Sequence, residues 1–135
     1  MDYVLDHLAI GDAGEGANPP EEVTALLCVA AELPPPAARA AAHQVPVIDM
    51  QPVPAAQLAE AIAWIAERIA RERILVYCNA GVGRSPSICV GYLCCGLGYG
   101  FGRAVETVAR RRPYMSVLPD LIKSIGAVCP AAVTE

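Results

Sequence analysis

The residues best equipped for chemistry form one short run, Cys78-Asn79-Ala80-Gly81-Val82-Gly83-Arg84-Ser85-Pro86. A thiol precedes a guanidinium with five residues between them, two of these are glycines, and a hydroxyl follows. Glycine accepts backbone angles that other residues resist and allows close ligand approach. A loop curled here can turn successive N–H groups inward as an anion nest, and a helix starting near Ser85 would add the positive end of its dipole. Arg84 offers a planar fork that matches two oxygens of a phosphate. No acidic side chain lies in the loop to oppose a dianion. The same field favours ionisation of Cys78. A free thiol with a pKa of about 8.5 is only slightly ionised near neutrality, and each unit of lowering is worth about 1.4 kcal/mol. A thiolate set in a phosphate cradle implies nucleophilic attack on phosphorus. The structural alternative is a Cys that ends a strand, with Arg84 as a cap.

Elements with fixed spacing must position that loop. Val4–Ile10 reads as short strands ending in a Gly-rich turn from Gly11 to Pro20. Thr24–Ala30 reads as a strand, Ala37–Ala42 as a short helix, and Val45–Ile48 as a strand in which Pro46 needs a bulge. Leu58, Ile62, Ile65 and Ile69 recur at helical spacing, with Pro54 suited to the first turn. Arg73–Tyr77 is a buried strand. Helices follow over about Pro86–Leu97, Phe101–Arg112 and Leu118–Val128. Strands alternating with helices predict an α/β fold with a central, mostly parallel sheet flanked by helices, and the Cys-to-Arg loop lying between a buried strand and a helix. In such sheets ligands bind beyond the carboxyl ends of the strands. Asp49 and Cys78 each follow a strand, so the fold brings them to the same rim. A loop carboxyl beside the nucleophile can serve as general acid. Asp12 and Asp120 are rivals for that role, and turn or helix-cap duties account for them.

The chain of 135 residues predicts a single domain over 1–135. A net charge of −4 gives no basic surface for nucleic acid, so none is expected as a partner. Arg110, Arg111 and Arg112 fall where a helix should end and suit its dipole; drawing in an acidic substrate is the lesser reading. Cys28, Cys89, Cys94 and Cys95 lie in apolar stretches and read as core. Pairing of Cys89, Cys94 or Cys95 with an oxidised Cys78 is the competing reading for those three. No secretory signal opens the chain, and free thiols point to the cytoplasm. The apolar stretch Ile88–Phe101 is too short and glycine-broken to span a bilayer, so no membrane is expected.

Val76–Ser87 (VYCNAGVGRSPS) resembles the signature loop of the protein tyrosine phosphatase superfamily, most of all its compact dual-specificity branch. Leu5–Ala13 resembles the usual start of that branch, and Val45–Ile65 its acid-loop segment and the helix after it. The resemblance implies a phosphoester hydrolase that works in two steps. Cys78 attacks phosphorus and forms a phosphocysteine. Asp49 protonates the leaving oxygen and then acts as base on water. Ser85 eases departure of the thiolate, while Arg84 and the backbone amides of Asn79, Ala80, Gly81, Val82, Gly83 and Arg84 hold the phosphoryl oxygens. No metal or organic cofactor is implied. Two departures stand out: Tyr77 occupies the place where the family usually has His, and Leu118-Pro119-Asp120 lacks a loop-bracing Asn.

The loop order, with the acid before the nucleophile, separates the chain from the low-molecular-weight tyrosine phosphatases, and a rhodanese-like sulfur transferase would not require this acid. No Lys or Arg interrupts Asn79–Gly83, which favours a phosphorylated protein, with phosphotyrosine foremost and phosphoserine or phosphothreonine also accepted. An inactive phosphate-binding module, and an enzyme for phospholipid or RNA-end phosphates, remain as alternatives.

Overall fold

The computed structural model describes residues 1–36 and 41–133. Within them the strands are Asp2–Leu5 (β1), Leu8–Gly11 (β2), Ala25–Cys28 (β3), Ala41–Gln44 (β4) and Ile74–Tyr77 (β5). The helices are Ala13–Ala17 (α1), Ala55–Arg68 (α2), Arg84–Leu97 (α3), Phe101–Arg111 (α4) and Leu121–Val128 (α5), and a short 3-10 turn closes at Pro130–Val133. The sheet order is β1-β2-β5-β3-β4. Only the β1–β2 pair is antiparallel. The α/β architecture with a mostly parallel sheet is therefore as the alternation of elements implies.

Every residue of β2, β3 and β5 is buried. Such uniformly apolar strands are what a parallel sheet covered on both faces demands. The register then sets the geometry of the site. Gly11 and Cys28 both pair with Tyr77, so β2, β3 and β5 end in one row. The chain segments that leave them emerge at a common rim, and Cys78 is the first residue past its centre. Behind that rim runs α3, buried from Arg84 to Cys94 and packed against α2, α4, α5 and the sheet. Gly98 ends α3 at φ 75°, a left-handed cap that glycine adopts without strain.

Several local expectations are corrected. The segment from Gly11 to Pro20 holds α1. Asp12 accepts from the Glu15 N–H at 2.9 Å, and Glu15 accepts from the Asp12 N–H at 2.9 Å, a reciprocal capping box. The strand expected at Val45–Ile48 lies earlier, at Ala41–Gln44. Pro46 has no N–H to give the ladder, and beyond Gln44 only separate bonds persist: Val45 N–H to the Cys28 carbonyl at 2.9 Å and Ala31 N–H to the Val47 carbonyl at 3.0 Å. Of the helix expected over Ala37–Ala42, residues 37–40 lie outside the described residues, and Ala41 and Ala42 open β4. Pro54 occupies the N-cap of α2 rather than its first turn. α5 starts at Leu121, three residues late, because Asp120 is held at φ 54°.

The cysteines also divide differently from expectation. Cys28, Cys78, Cys89 and Cys94 are buried thiols, whereas Cys95 is joined to Cys129 in a disulfide. The link ties the last turn of α3 to the residue that caps α5, across a Cα–Cα distance of 5.6 Å. No helix among the described residues is long and apolar enough to cross a membrane. Closing a loop of 34 residues is worth roughly 2–4 kcal/mol. Denaturant titration of Cys129→Ser should show a loss of that size, and alkylation of the unreduced, unfolded wild type should label four of its six cysteines.

Candidate active site

The loop after β5 has an inverted backbone. Four of its carbonyls are held, three by donors from elsewhere in the chain and that of Gly83 by the first hydrogen bond of α3. The Asn79 carbonyl accepts from the Ala13 N–H at 3.0 Å, and the Val82 carbonyl from the Ser116 N–H at 2.8 Å. The Gly83 carbonyl accepts from the Ser87 N–H at 3.0 Å, and the Gly81 carbonyl from Arg112 Nε at 2.6 Å. A trans peptide plane points its C=O and the next N–H in opposite directions. The amides of Ala80, Val82, Gly83 and Arg84 therefore turn inward, and among the described residues none of them donates to another protein group. Gly81 makes the curl possible: its φ is +71°, and a Cβ there would stand 2.4 Å from Arg112 Nη2 and 2.8 Å from the Gly11 carbonyl oxygen.

Cys78 lies at the floor of the curl and is 2 % exposed. Its Sγ is 3.2 Å from the Ser85 hydroxyl and receives the Ser85 N–H at 3.4 Å. The first turn of α3 thus meets the sulfur with its dipole end. The Ser85 hydroxyl has a second acceptor, the Gly11 carbonyl, at 3.4 Å. Arg84 is also 2 % exposed. Its Nη1 and Nη2 hold Glu32 at 2.6 and 2.5 Å, and Nη1 reaches the Val47 carbonyl at 3.0 Å. The hydrogen bonds to Arg84 pull the Glu32 carboxyl from 4.5 to about 2, and the same pair raises Arg84 further. Arg84 Nε lies 3.7 Å from Asp49 Oδ1.

Asp49 stands at the mouth in a tight turn with its side chain 56 % exposed. One of its oxygens accepts the Met50 N–H at 2.9 Å. Met50 has φ 60°, a left-handed setting for a residue with a side chain. Asp49, Met50, Cys78, Ala80, Val82, Gly83, Arg84 and Ser116 enclose a cavity of about 230 Å³. A larger hollow of about 720 Å³ lies against β1 and its turn into β2, beside Ile69 and Arg111, and includes no cysteine.

The structure brings Cys78, Arg84 and Asp49 to one pocket with Ser85 bonded to the Cys78 sulfur, and of Asn79 to Gly83 it places Ala80, Val82 and Gly83 in the lining. The two rival acids do not join them. Asp12 is spent capping α1, and Asp120 is an exposed residue at the α5 N-terminus. Sequence reading missed two positioning residues. Glu32 follows β3 at the same rim, and the strand-end argument that selected Asp49 applies to it equally. In the sequence Arg112 reads as one of three cations at a helix end. It is 3 % exposed, whereas Arg110 pairs on the surface with Glu106. Ala104 and Val108 are the buried residues of α4, and Arg112 is the next step of four along that stripe. Its Nη1 also binds Asp2 at 2.6 Å. The bracing left in doubt at Leu118-Pro119-Asp120 comes from the backbone: Leu118 N–H bonds Ser87 Oγ at 2.9 Å, and Ser116 N–H holds Val82. Tyr77 turns away from Cys78. Burial pushes its pKa up, and the Cys28 thiol beside it adds to the shift. Burial likewise pushes up the Cys89 thiol, with the neighbouring Cys78 charge adding to it.

Residues 22–128 match the family model for the dual specificity phosphatase catalytic domain. No curated protein matches the chain significantly by sequence. Among solved structures, human DUSP28 is 25% identical, with 97% of this chain and 96% of that chain covered at a TM-score of 0.85. A mouse putative dual specificity phosphatase complexed with zinc tungstate is 23% identical, covering 99% and 92% at 0.85. The human tyrosine phosphatase-like serine/threonine/tyrosine-interacting protein shares the fold at 17% identity, covering 94% and 93% with a TM-score of 0.75.

Arg112→Ala leaves the Gly81 carbonyl and Asp2 without their donor. Its unfolding free energy should fall by roughly 2–4 kcal/mol, with weaker binding of inorganic phosphate in calorimetry. The Glu32 pair has a different signature. A carboxyl whose folded pKa is lowered stabilises above its unfolded value and loses that contribution as pH falls to the folded one. The stability gap between wild type and Glu32→Gln should stay constant above pH 4.5 and close towards pH 2, read by denaturant melts across that range.

Proposed function

The chain belongs to the dual specificity phosphatase family, and on that premise we propose that it hydrolyses phosphomonoesters on proteins through a phosphocysteine at Cys78. Phosphotyrosine is the foremost substrate, with phosphoserine and phosphothreonine also accepted. The observation that carries this reading is the pairing of a buried sulfur, 3.2 Å from a hydroxyl, with a curl of inward-facing amides above it.

In the first step the Cys78 thiolate attacks phosphorus in line. The S–P bond forms as the bond to the leaving oxygen breaks, and that oxygen takes a proton from the Asp49 carboxyl. The inward amides and Arg84 meet the charge on the equatorial oxygens. Glu32 and the Val47 carbonyl occupy one side of the Arg84 fork and fix its plane, which leaves Nε on the side of Asp49 and the cavity. In the second step Asp49 takes a proton from water, the new O–P bond forms, and the S–P bond breaks. The Ser85 hydroxyl donates a hydrogen bond to the departing thiolate, which leaves as S⁻ and keeps no proton from Ser85. The reaction needs Cys78 as a free thiol, as it is here.

One observation favours a second reading, a phosphate-binding module without turnover. Tyr77 stands where relatives usually have His, and its ring lies against Gly16 of α1, away from the Cys78 sulfur. Turnover of phenyl phosphate against pH separates the two. Cys78→Ser should lose more than about 10⁴-fold in kcat. Asp49→Ala should lose about 10²–10⁴-fold together with the decline in rate at rising pH that a protonated acid imposes. A wild type that binds vanadate but hydrolyses nothing overturns the enzyme reading. In that case Tyr77→His is the variant to assay, and recovered turnover would assign the block to Tyr77.

A further inference from the structure

The described residues carry six exposed large hydrophobic side chains, and four of them belong to the two segments, around Asp49 and around Ser116, that contribute to the candidate cavity. Ile48 and Met50, 62 % and 82 % exposed, lie on either side of Asp49. Tyr114 and Val117, 60 % and 39 % exposed, belong to the segment whose Ser116 lines the cavity and holds Val82. The Tyr114 ring stacks 5.0 Å from the guanidinium of Arg112, the residue that holds Gly81. Apolar side chains left in water around a polar pocket mark a binding surface.

We propose that these four residues form a substrate collar that selects phosphopeptides with an apolar residue next to the phosphorylated one. This rests on the phosphatase reading of the same site. The cavity, at about 230 Å³, has room for the phosphoryl group and the atoms next to it, so the remainder of a substrate must lie across the collar. Apolar contacts on both sides of the mouth suit an extended peptide whose neighbouring side chains point left and right of the phosphoresidue.

Charge argues in the same direction. Along Ile48–Met50, Asn79–Arg84 and Arg112–Leu118 the cations are Arg84 and Arg112. Both are buried and both are paired with carboxylates, Glu32 and Asp2. No exposed cation in these segments is free to meet acidic flanking residues, a second phosphate or an anionic membrane.

Three phosphotyrosyl peptides identical except for Leu, Glu or Lys at both positions beside the phosphotyrosine supply the test. Wild type should favour the Leu peptide over the Glu peptide by about tenfold or more in kcat/KM, chiefly through KM, as expected for burial of a partly covered aliphatic side chain. In Ile48→Ser/Val117→Ser the ratio should fall to within about twofold. Equal rates for the three peptides, or a preference that survives the double variant, overturns the collar. So does faster turnover of phosphatidic acid in mixed phosphatidylcholine vesicles than of the Leu peptide, which would make the collar a lipid-facing surface. Phenyl phosphate hydrolysis by wild type reports separately on the phosphatase reading. Where that fails, binding of the same peptides to Cys78→Ser, followed by fluorescence anisotropy, still decides the collar by the same ratio.

Discussion

A loop whose carbonyls face outward cannot stand alone, because each carbonyl needs a donor from another part of the chain. In this protein the donors are Ala13 at the start of α1, Ser87 in α3, Ser116 in the α4–α5 connection and the side chain of Arg112. Much of the architecture can be read as the means of delivering them. α1 exists as a helix because Asp12 and Glu15 cap it, and this presents the Ala13 N–H. α4 carries Arg112 at the end of its buried stripe. The segment after it is pinned a second time by Leu118 to Ser87. Once these bonds are made, peptide planarity alone turns the opposite N–H groups towards the cavity, so an anion site results without a further side chain.

The charges around that site are nearly balanced. Each buried arginine is matched by a carboxylate, Glu32 for Arg84 and Asp2 for Arg112, which is the usual condition for burying a guanidinium at all. On the proposed reading, the attraction for a phosphate would come from oriented amides, the α3 dipole and the Nε face of Arg84. Such a site is steep and short-ranged. It distinguishes a phosphoryl group in the curl from one held a few ångströms outside, and it offers little to a second phosphate nearby. The carboxylate of Asp49 at 3.7 Å from Arg84 Nε fits the same logic, because Nε is the part of the fork left without a closer partner.

What the sequence disclosed follows the range of the interactions involved. Cys78, Arg84 and Ser85 are legible because one contiguous loop holds them, and Asp49 because strand ends in a parallel sheet share a rim. Glu32 is bonded to Arg84 across 52 residues and Arg112 to Gly81 across 31. Neither separation leaves a local pattern, although the helical step from Ala104 through Val108 to Arg112 was visible and was masked by its arginine neighbours. The misplaced strand near Pro46 has a similar cause. Val45 and Val47 have the composition of a strand and are buried like one, yet the missing N–H of the proline ends the ladder at Gln44. Cys95 looked like core because its partner, Cys129, is brought to it only by the packing of α5.

Tyr77 shows how the fold limits the chemistry beside the nucleophile. Successive residues of a strand point to opposite faces, so the side chain before Cys78 is directed towards α1 and not into the curl. There its ring packs so tightly that a Cβ on Gly16 would meet it at 2.4 Å. Its register partner on β3, Cys28, is contacted by Gln44. The row Gly11–Tyr77–Cys28 that aligns the strand ends is thereby locked by an aromatic side chain. The sulfur is left to Ser85, the loop amides and the start of α3. Rigidity of the rim and the hydrogen bonds to the Cys78 sulfur thus lie on opposite sides of the same strand end.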